Sequence, residues 1–272
     1  MSPPSAASAA SAAAHAPPAL ELRGVSKRLG RTAVVRGAAF AIDNGECVAL
    51  IGPNGAGKST IFDLVSGRLA PDRGEIRLHG RAIAGLAPHR IHRLGLARSF
   101  QLSLLFERLS VFENLRCALL WSLGYRYAFW RLLGRARDAN ARAEALLARL
   151  GLQQRRDVPA ADLSYAEQRA LEIGVTVAGG ADVILLDEPT AGMSRSETAR
   201  FVALVRELTQ GRTLLVVEHD LGVVFELADR IAVLVRGEVI AFDTPAAVRA
   251  DPRVQEAYLG TAFGASPGDG GG

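Results

Sequence analysis

Cysteine is scarce in this sequence, with only two among 272 residues. Cys47 lies beside a strand-like run, and Cys117 lies in an apolar, helix-like run. Two separate thiols are too few for a disulfide framework or for a cysteine metal cluster. We therefore expect both cysteines to be buried and reduced.

Long uncharged apolar runs are also missing. A membrane-spanning helix needs about 20 predominantly apolar residues, and the nearest candidate, 117–125, is bounded by Arg116 and Arg126. Residues 1–18 lack the basic start and the Leu-rich stretch of a secretory signal, which predicts a disordered leader. With a flexible tail at 262–272, the sequence predicts a soluble, cytoplasmic chain.

No segment concentrates the basic residues. The formal net charge is only +4, and the 32 lysines and arginines are spread along the chain. Nucleic-acid-binding proteins gather such residues into a tail or patch, so no nucleic acid is expected among the partners. Mild basicity also suits the anionic face of a membrane.

Apolar and helical segments alternate along the chain, and 49% of the residues are hydrophobic, enough to bury a sizeable core. The alternation predicts an α/β fold with a mainly parallel sheet covered by helices. Three apolar runs, 46–52, 182–188 and 213–220, are typical of strands buried in such a sheet. Residues 33–42 and 74–80 resemble half-exposed antiparallel strands instead. A helical middle, roughly 108–178, interrupts the strands.

The segment GPNGAGKST follows an apolar strand and precedes a helix. It fits the phosphate-loop pattern G-x-x-x-x-G-K-[ST] in the context that this pattern requires. Its glycines let backbone N–H groups turn inward around phosphates, and the helix N-terminus adds the positive end of its dipole. Lys58 is expected beside the β- and γ-phosphates of ATP, and Ser59 is expected to bind Mg²⁺. The alternative is a glycine-rich turn with a chance lysine. The predicted nucleotide-binding residues of this loop are Gly52, Pro53, Asn54, Gly55, Ala56, Gly57, Lys58, Ser59 and Thr60.

Outside the phosphate loop the chain contains only one lysine. Of the 32 lysines and arginines, only Lys27 and Lys58 are lysines. A compact ammonium group can enter a phosphate cradle that a broad, planar guanidinium group would crowd. We therefore expect Lys58→Arg to damage ATP hydrolysis.

Polar residues follow three other strand-like segments. Asp187 ends an apolar strand, where it can hold Mg²⁺ through water, and Glu188 can polarise the attacking water. Gln101 can coordinate Mg²⁺ and the water, whereas His219 can hydrogen-bond a γ-phosphate. Taken singly, each has a structural alternative, such as a solvated acidic strand end. The predicted catalytic residues are Glu188, His219 and Gln101, and the predicted metal ligands are Ser59, Gln101 and Asp187.

The phosphate loop, FQ at 100–101, LSYAEQR at 163–169, VILLDEPT and VVEHD occur in the order and approximate spacing of the ATP-binding-cassette ATPases. The resemblance covers about residues 20–260. It implies a P-loop NTPase (RecA-like) core at 19–261 with an antiparallel β subdomain and a helical subdomain at about 102–178. It also implies a head-to-tail dimer with a second cassette ATPase, in which each ATP lies between one subunit's phosphate loop and the other's signature.

LSYAEQR occupies the place of the family's signature, usually written LSGGQ. Ser164 matches its serine, while Tyr165 and Ala166 replace its two glycines. In the family the N–H of the second position approaches the γ-phosphate in the partner's site, so a methyl group on Ala166 crowds that contact or restricts φ. We interpret the segment as a working but slowed signature. Leu29 replaces the aromatic residue that stacks on adenine, and Ser194 replaces the usual acid after the catalytic strand.

Several longer segments resemble the ATPases of branched-chain amino acid importers, most distinctively DPRVQEAYLG at 251–260. The resemblance implies a second related ATPase, two membrane permeases and a periplasmic solute-binding protein, with this chain on the cytoplasmic face of the inner membrane. Importers of urea, amides or aromatic acids share these motifs, so the substrate stays open. The alternatives are a soluble regulatory or nucleic-acid-associated cassette ATPase, and a low-turnover subunit paired with a more active ATPase.

The segment 115–135 interleaves aromatic residues with arginines. It can present an aromatic patch to a permease, with the arginines at the rim or against lipid phosphates. A plain packing helix of the helical subdomain is an equally good interpretation. The residues concerned are Arg116, Trp121, Tyr125, Arg126, Phe129, Trp130, Arg131 and Arg135.

Overall fold

The computed structural model describes residues 16–99, 105–124 and 137–258. These residues form two sheets and a set of surrounding helices. The architecture confirms the α/β fold predicted from the sequence. None of the helices in these ranges combines the length and the apolar character that a bilayer-spanning helix needs.

The larger sheet has six strands in the order β10-β9-β3-β8-β7-β6. The five strands β9, β3, β8, β7 and β6 pair in parallel, whereas the edge strand β10 is antiparallel to β9. Every residue of β3, β7 and β8 is buried, as expected for strands covered on both faces. The strands are β3 Cys47–Ile51, β6 Leu96–Ser99, β7 Val183–Asp187, β8 Thr213–Val217, β9 Arg230–Val235 and β10 Glu238–Asp243.

The smaller sheet is antiparallel, with the strand order β2-β1-β4-β5. Three of its strands, β1, β2 and β4, contain both buried and exposed residues, which confirms the expected half-exposed character. The strands are β1 Leu20–Leu29, β2 Thr32–Ile42, β4 Arg73–Leu78 and β5 Arg81–Ala82.

Nine α-helices lie within the described ranges: α1 Lys58–Val65, α2 Pro88–Arg93, α3 Val111–Ser122, α4 Arg137–Arg149, α5 Tyr165–Ala178, α6 Arg195–Leu208, α7 Leu221–Leu227, α8 Pro245–Ala250 and α9 Pro252–Tyr258. The helix α3 buries Val111, Leu115 and Leu119, which recur every four residues on one face. Cys117 lies off this stripe and is only half-buried, whereas Cys47 is buried as expected. The expectation of burial was therefore wrong for Cys117.

Parallel pairing brings the polar residues of the larger sheet together. The strands β3, β7 and β8 end at Ile51, Asp187 and Val217, and the chain runs from these ends into the phosphate loop, Glu188 and Glu218. Because parallel strands point the same way, these segments meet at one edge of the sheet, where α/β proteins bind their ligands. Gln101, two residues after the end of β6, lies outside the described residues.

Candidate functional site

The phosphate loop packs tightly against neighbouring backbone at two of its glycines. A Cβ atom added to Gly52 would lie 2.0 Å from the carbonyl oxygen of Leu234 in β9. One added to Gly57, whose φ is 108°, would lie 2.7 Å from the carbonyl oxygen of Val34 in β2. Both contacts are too close for any side chain. Glycine is therefore required here by the fold itself.

The start of α1 is open to an anion. Gly57 is its N-cap residue, no side chain caps the helix, and its first turn contains no acidic residue. The first backbone N–H groups of a helix lack partners inside the helix and carry the positive end of its dipole. Ser59 lies in this first turn and is exposed. The geometry therefore suits the phosphates of a nucleotide.

Lys58 lies beneath the loop and is only 7% exposed. Its Nζ donates to the carbonyl oxygens of Gly52 at 2.7 Å and Pro53 at 3.2 Å. Burial lowers the pKa of the Lys58 ammonium group below its ordinary value, and the charges of Glu188 and Asp187 oppose that shift. The structure thus brings the lysine and both acids into one electrostatic environment. An anion bound in the loop would compensate the cost of burying this cation.

Asp187 is engaged by an arginine that the sequence reasoning did not select. Arg98, on the neighbouring strand β6, places Nη2 2.9 Å from Oδ2 of Asp187 and Nη1 2.6 Å from Oδ1 of Asp63 in α1. The side chains of Arg98 and Asp187 are each 7% exposed. The arginine therefore ties the acid at the end of β7 to the helix that follows the phosphate loop. Its position in the run LARSFQ, three residues before Gln101, is the only sequence signal.

Glu188 and His219 lie side by side after β7 and β8. Nε2 of His219 is 2.8 Å from Oε1 of Glu188, and both side chains are partly exposed. The backbone of Glu188 has φ 47°, a left-handed conformation that is uncommon for residues other than glycine. Its N–H donates to the carbonyl oxygen of Val217 at 2.8 Å. A partly exposed carboxylate that is oriented by an imidazole can act as a general base.

Glu218 is a buried acid that contacts the segments carrying Glu188 and His219, and the sequence reasoning did not select it. It is 4% exposed. Its Oε1 accepts from the backbone N–H of Thr190 at 3.0 Å and from the Thr190 hydroxyl group, and its Oε2 accepts from the N–H of His219 at 2.9 Å. The acid therefore joins the segment after β7 to the segment after β8. Its place before His219 in VVEHD is a weak signal that only the fold makes specific.

The predicted signature residues lie at the start of α5. Ser164 is the N-cap of α5 and forms a capping box with Glu167, which is reason enough for a serine at this position. Ala166 is half-buried in the first turn. Tyr165 donates from its hydroxyl group to the carbonyl oxygen of Ala191, so the signature touches the segment that follows Glu188.

The two remaining departures from the family pattern have separate surroundings. Leu29 ends β1 and is 46% exposed, on the hairpin whose second strand contacts Gly57 through Val34. Ser194 is the N-cap of α6 and forms a capping box with Glu197. Serine is thus explained locally at position 194, because it satisfies the first N–H groups of the helix.

Known proteins resemble this chain along most of its length. A family model described as ABC transporter matches residues 35–191, and one described as branched-chain amino acid ATP-binding cassette transporter matches residues 238–264. The chain is 37% identical over 255 residues to the high-affinity branched-chain amino acid transport ATP-binding protein LivG of Salmonella typhimurium, covering 90% of this chain and 99% of that protein. BraF of Pseudomonas aeruginosa, with the same description, is 36% identical over 255 residues, which again cover 90% of this chain and 99% of that protein.

A solved structure extends the similarity to the fold. The ADP conformation of MJ1267, described as an ATP-binding cassette of an ABC transporter, aligns with a TM-score of 0.77 and 26% sequence identity. The alignment covers 89% of this chain and 99% of that chain.

Proposed function

Because this chain belongs to the ABC transporter family as an ATP-hydrolysing subunit, we propose that its ATP hydrolysis drives the import of branched-chain amino acids or a related small polar solute. The observation that carries the substrate class is the match of residues 238–264 to the branched-chain amino acid group. Within this segment, Val248 and Val254 are buried in one apolar cluster with Ala49 and Ile51 of β3. The segment is therefore built into the core beside the phosphate loop.

The phosphate loop and α1 would hold the nucleotide. Backbone N–H groups of the loop and of the first turn of α1 would surround the phosphates. The Lys58 ammonium group, already directed at the loop by Gly52 and Pro53, would neutralise charge on the β- and γ-phosphates. Leu29 would pack against the adenine without offering an aromatic face.

Mg²⁺ would be shared between the protein and the phosphates. When bound, it would neutralise the charge that develops on the phosphate oxygens. The described residues contain no group of three or more His, Cys, Asp or Glu side chains arranged to hold a metal. That is compatible with Mg²⁺, which commonly takes few protein ligands together with phosphate oxygens and water. The Ser59 hydroxyl group, the Asp187 carboxylate and Gln101 are the proposed protein ligands.

Hydrolysis would use the pair that follows β7 and β8. The Glu188 carboxylate would accept a proton from the attacking water. His219, whose Nε2 lies 2.8 Å from that carboxylate, would hold it in place before ATP binds and would hydrogen-bond the γ-phosphate once the nucleotide is present. Gln101 would help to orient the water.

Assembly would place this chain on the cytoplasmic face of the inner membrane, against a second cassette ATPase, two permeases and, across the membrane, a periplasmic solute-binding protein. An apolar cavity of about 400 Å³ between α2, β6, α3 and α5 is the described surface that suits a permease helix. Ala118 of α3 lines it, and the chain continues from α3 into the aromatic and arginine-rich segment. Most of that segment, 125–136, lies outside the described residues.

Two substitutions test this surface. Ala118→Arg would fill the cavity and is expected to abolish co-purification with the permeases while ATP binding persists. Ala82→Arg, on the exposed strand β5, is the matched control and should co-purify normally.

The paired change of Trp121 and Trp130 to Ala tests the aromatic segment. It is expected to prevent assembly with the permeases, and normal co-purification would contradict the aromatic-patch interpretation.

The direct test of the function is a pull-down of the tagged chain from gently solubilised native membranes, with mass spectrometry of the captured proteins. Two permeases, a second cassette ATPase and a solute-binding protein are the expected partners, and the ligand of that binding protein would identify the substrate. Recovery of soluble or ribosomal partners alone would leave the ATPase chemistry intact but refute the import role in favour of a regulatory cassette protein.

A further inference from the structure

Tyr165 replaces a glycine in the signature, yet its hydroxyl group is held by three hydrogen bonds. It donates to the carbonyl oxygen of Ala191 at 2.8 Å, and it accepts from Nε and Nη2 of Arg169 at 3.0 and 2.9 Å. The residue is nevertheless 45% exposed. This exposed tyrosine is therefore held in place by the three hydrogen bonds of its hydroxyl group rather than by burial.

Arg169 determines the direction in which the hydroxyl proton points. Its Nη1 is 2.9 Å from Oε2 of Glu172, and the two side chains are only 14% and 7% exposed. The guanidinium group is therefore held in place and donates two N–H groups to the tyrosine oxygen. Because a tyrosine hydroxyl group has one proton, that proton is directed to Ala191.

Ala191 lies in a short turn that begins at Glu188. The N–H of Ala191 donates to the carbonyl oxygen of Glu188 at 3.1 Å, and the N–H of Met193 donates to that of Thr190 at 3.1 Å. The left-handed φ of Glu188 is unfavourable for a residue with a side chain and persists only where neighbouring contacts impose it. Thr190, held by Glu218, anchors the turn from one side, and Tyr165 anchors it from the other.

We propose that Tyr165 is a positioning residue for ATP hydrolysis, which orients Glu188 through the turn 188–193. This inference rests on the proposed role of Glu188 as the general base. Tyr165 also belongs to the first turn of α5, the segment proposed to face the nucleotide bound by the partner ATPase.

The ring and the hydroxyl group of Tyr165 make separable contacts. A Cβ atom added to Gly192 would lie 3.5 Å from the edge of the ring, so the ring packs over this glycine. Tyr165→Phe keeps that packing and removes only the hydrogen bonds. Arg155→Gln is the matched control, because Arg155 pairs with Glu167 in the same turn of α5 at 3.0 Å but belongs to neither the proposed catalytic nor the nucleotide-binding residues.

The first measurement needs no catalysis. Hydrogen exchange of the nucleotide-free protein, followed by mass spectrometry, is expected to speed up at residues 188–193 in Tyr165→Phe and to stay unchanged there in Arg155→Gln. Unchanged exchange in Tyr165→Phe would overturn the proposal, because the hydroxyl group would then not hold the turn.

The second measurement separates an effect through Glu188 from an effect through the signature. Tyr165→Phe is expected to lower kcat about three- to tenfold with KM and nucleotide affinity changed less than about twofold, the pattern of a lost transition-state interaction. In the Glu188→Gln background it should cause no further loss in the residual rate, because the two residues act in one chain of contacts. Arg155→Gln should keep the wild-type kcat.

Two outcomes of this experiment overturn the proposal. A wild-type kcat in Tyr165→Phe, or an equal fractional loss in both backgrounds, would show that Tyr165 does not act through Glu188. Undiminished turnover of Glu188→Gln alone would instead refute the general-base assignment on which the proposal rests, and so distinguishes the two failures.

Discussion

Arg98 and Asp187 form a buried ion pair across the neighbouring strands β6 and β7, with Nη2 2.9 Å from Oδ2. The arginine also binds Asp63 in α1, and its guanidinium carbon lies 5.4 Å from the centre of the Phe62 ring. One cation thus links the strand that leads to Gln101, the proposed metal ligand of β7 and the helix that follows the phosphate loop. Removing the arginine would leave buried carboxylate charge without its partner, which costs several kcal/mol of stability, roughly 3–5.

Arg98→Gln is expected to lower the free energy of unfolding by about 3 kcal/mol, since it leaves the buried Asp187 carboxylate without its cation. The free energy of unfolding of Arg98→Lys should lie between those of the wild type and Arg98→Gln, because a single ammonium group cannot bind both acids as a guanidinium group does. Urea denaturation measures the difference. Arg253→Gln, which breaks a surface pair with Asp251, is the control and should leave the stability close to that of the wild type. Similar losses in the two glutamine variants would contradict a special role for Arg98.

Lys58→Arg is expected to abolish high-affinity ATP binding. Lys58 is 7% exposed, and its ammonium group donates to two carbonyl oxygens of the loop, an arrangement that a broad, planar guanidinium group would crowd. Fluorescent-nucleotide titration measures the affinity. The only other lysine provides the control: Lys27 pairs with Asp72 away from the loop, and Lys27→Arg should bind ATP normally. Normal hydrolysis by Lys58→Arg would refute the proposed role.

Glu188→Gln is expected to reduce ATP hydrolysis about 100-fold or more while ATP binding persists, because glutamine cannot accept the proton from water. The variant should accumulate as a closed, ATP-bound dimer. Size-exclusion chromatography with and without ATP measures this, and phosphate release measures turnover. Glu207→Gln, which removes an exposed acid paired with Arg149, should behave as wild type in both assays.

Ala166→Gly tests whether the alanine that replaces the second glycine of the signature slows ATP hydrolysis. Restoring the family's glycine removes the methyl group from the proposed approach of backbone to γ-phosphate, so we expect higher turnover. Glycine inside a helix costs about 0.5–1 kcal/mol of stability, so thermal unfolding should be recorded alongside. Unchanged turnover would mean that the partner site tolerates alanine, and it would remove the reason to suspect a low-turnover subunit.

Cys47 should be inert to thiol reagents in the folded protein. Burial, helped by the charge of Asp229, raises the pKa of its thiol to about 12, so at pH 8 only about 1 in 10⁴ molecules carries the reactive thiolate. Because unfolding lets this thiol ionise at its ordinary pKa of 9.0, its stabilising contribution is full below pH 9 and declines as the pH rises towards 12. In Cys117→Ala, dithionitrobenzoate should react only after urea is added, and rapid labelling without urea would contradict this.

Much of the candidate site could be predicted from short segments. The phosphate loop, Asp187, Glu188 and His219 were each selected because a chemically distinctive residue follows a run of apolar ones, and parallel strands carry such residues to one edge. The structure locates them at that edge, and their catalytic and metal-binding roles stay predictions. Gln101 lies outside the described residues, so its role stays a prediction. Leu29, Ser164 and Ala166 are located by the fold, but their contacts with nucleotide also stay predictions.

The sequence by itself determined the main buried strands, the identity of the phosphate loop and the family, because these depend on local periodicity and on motifs within a few residues. Only the tertiary structure decided how Arg98, Glu218 and Tyr165 act. Their partners lie 89, 28 and 26 positions away along the chain. The pairing of β6 with β7, the left-handed turn at Glu188 and the start of α5 bring these groups within hydrogen-bonding distance. A contact of that kind depends on how separate elements pack, which no local pattern encodes.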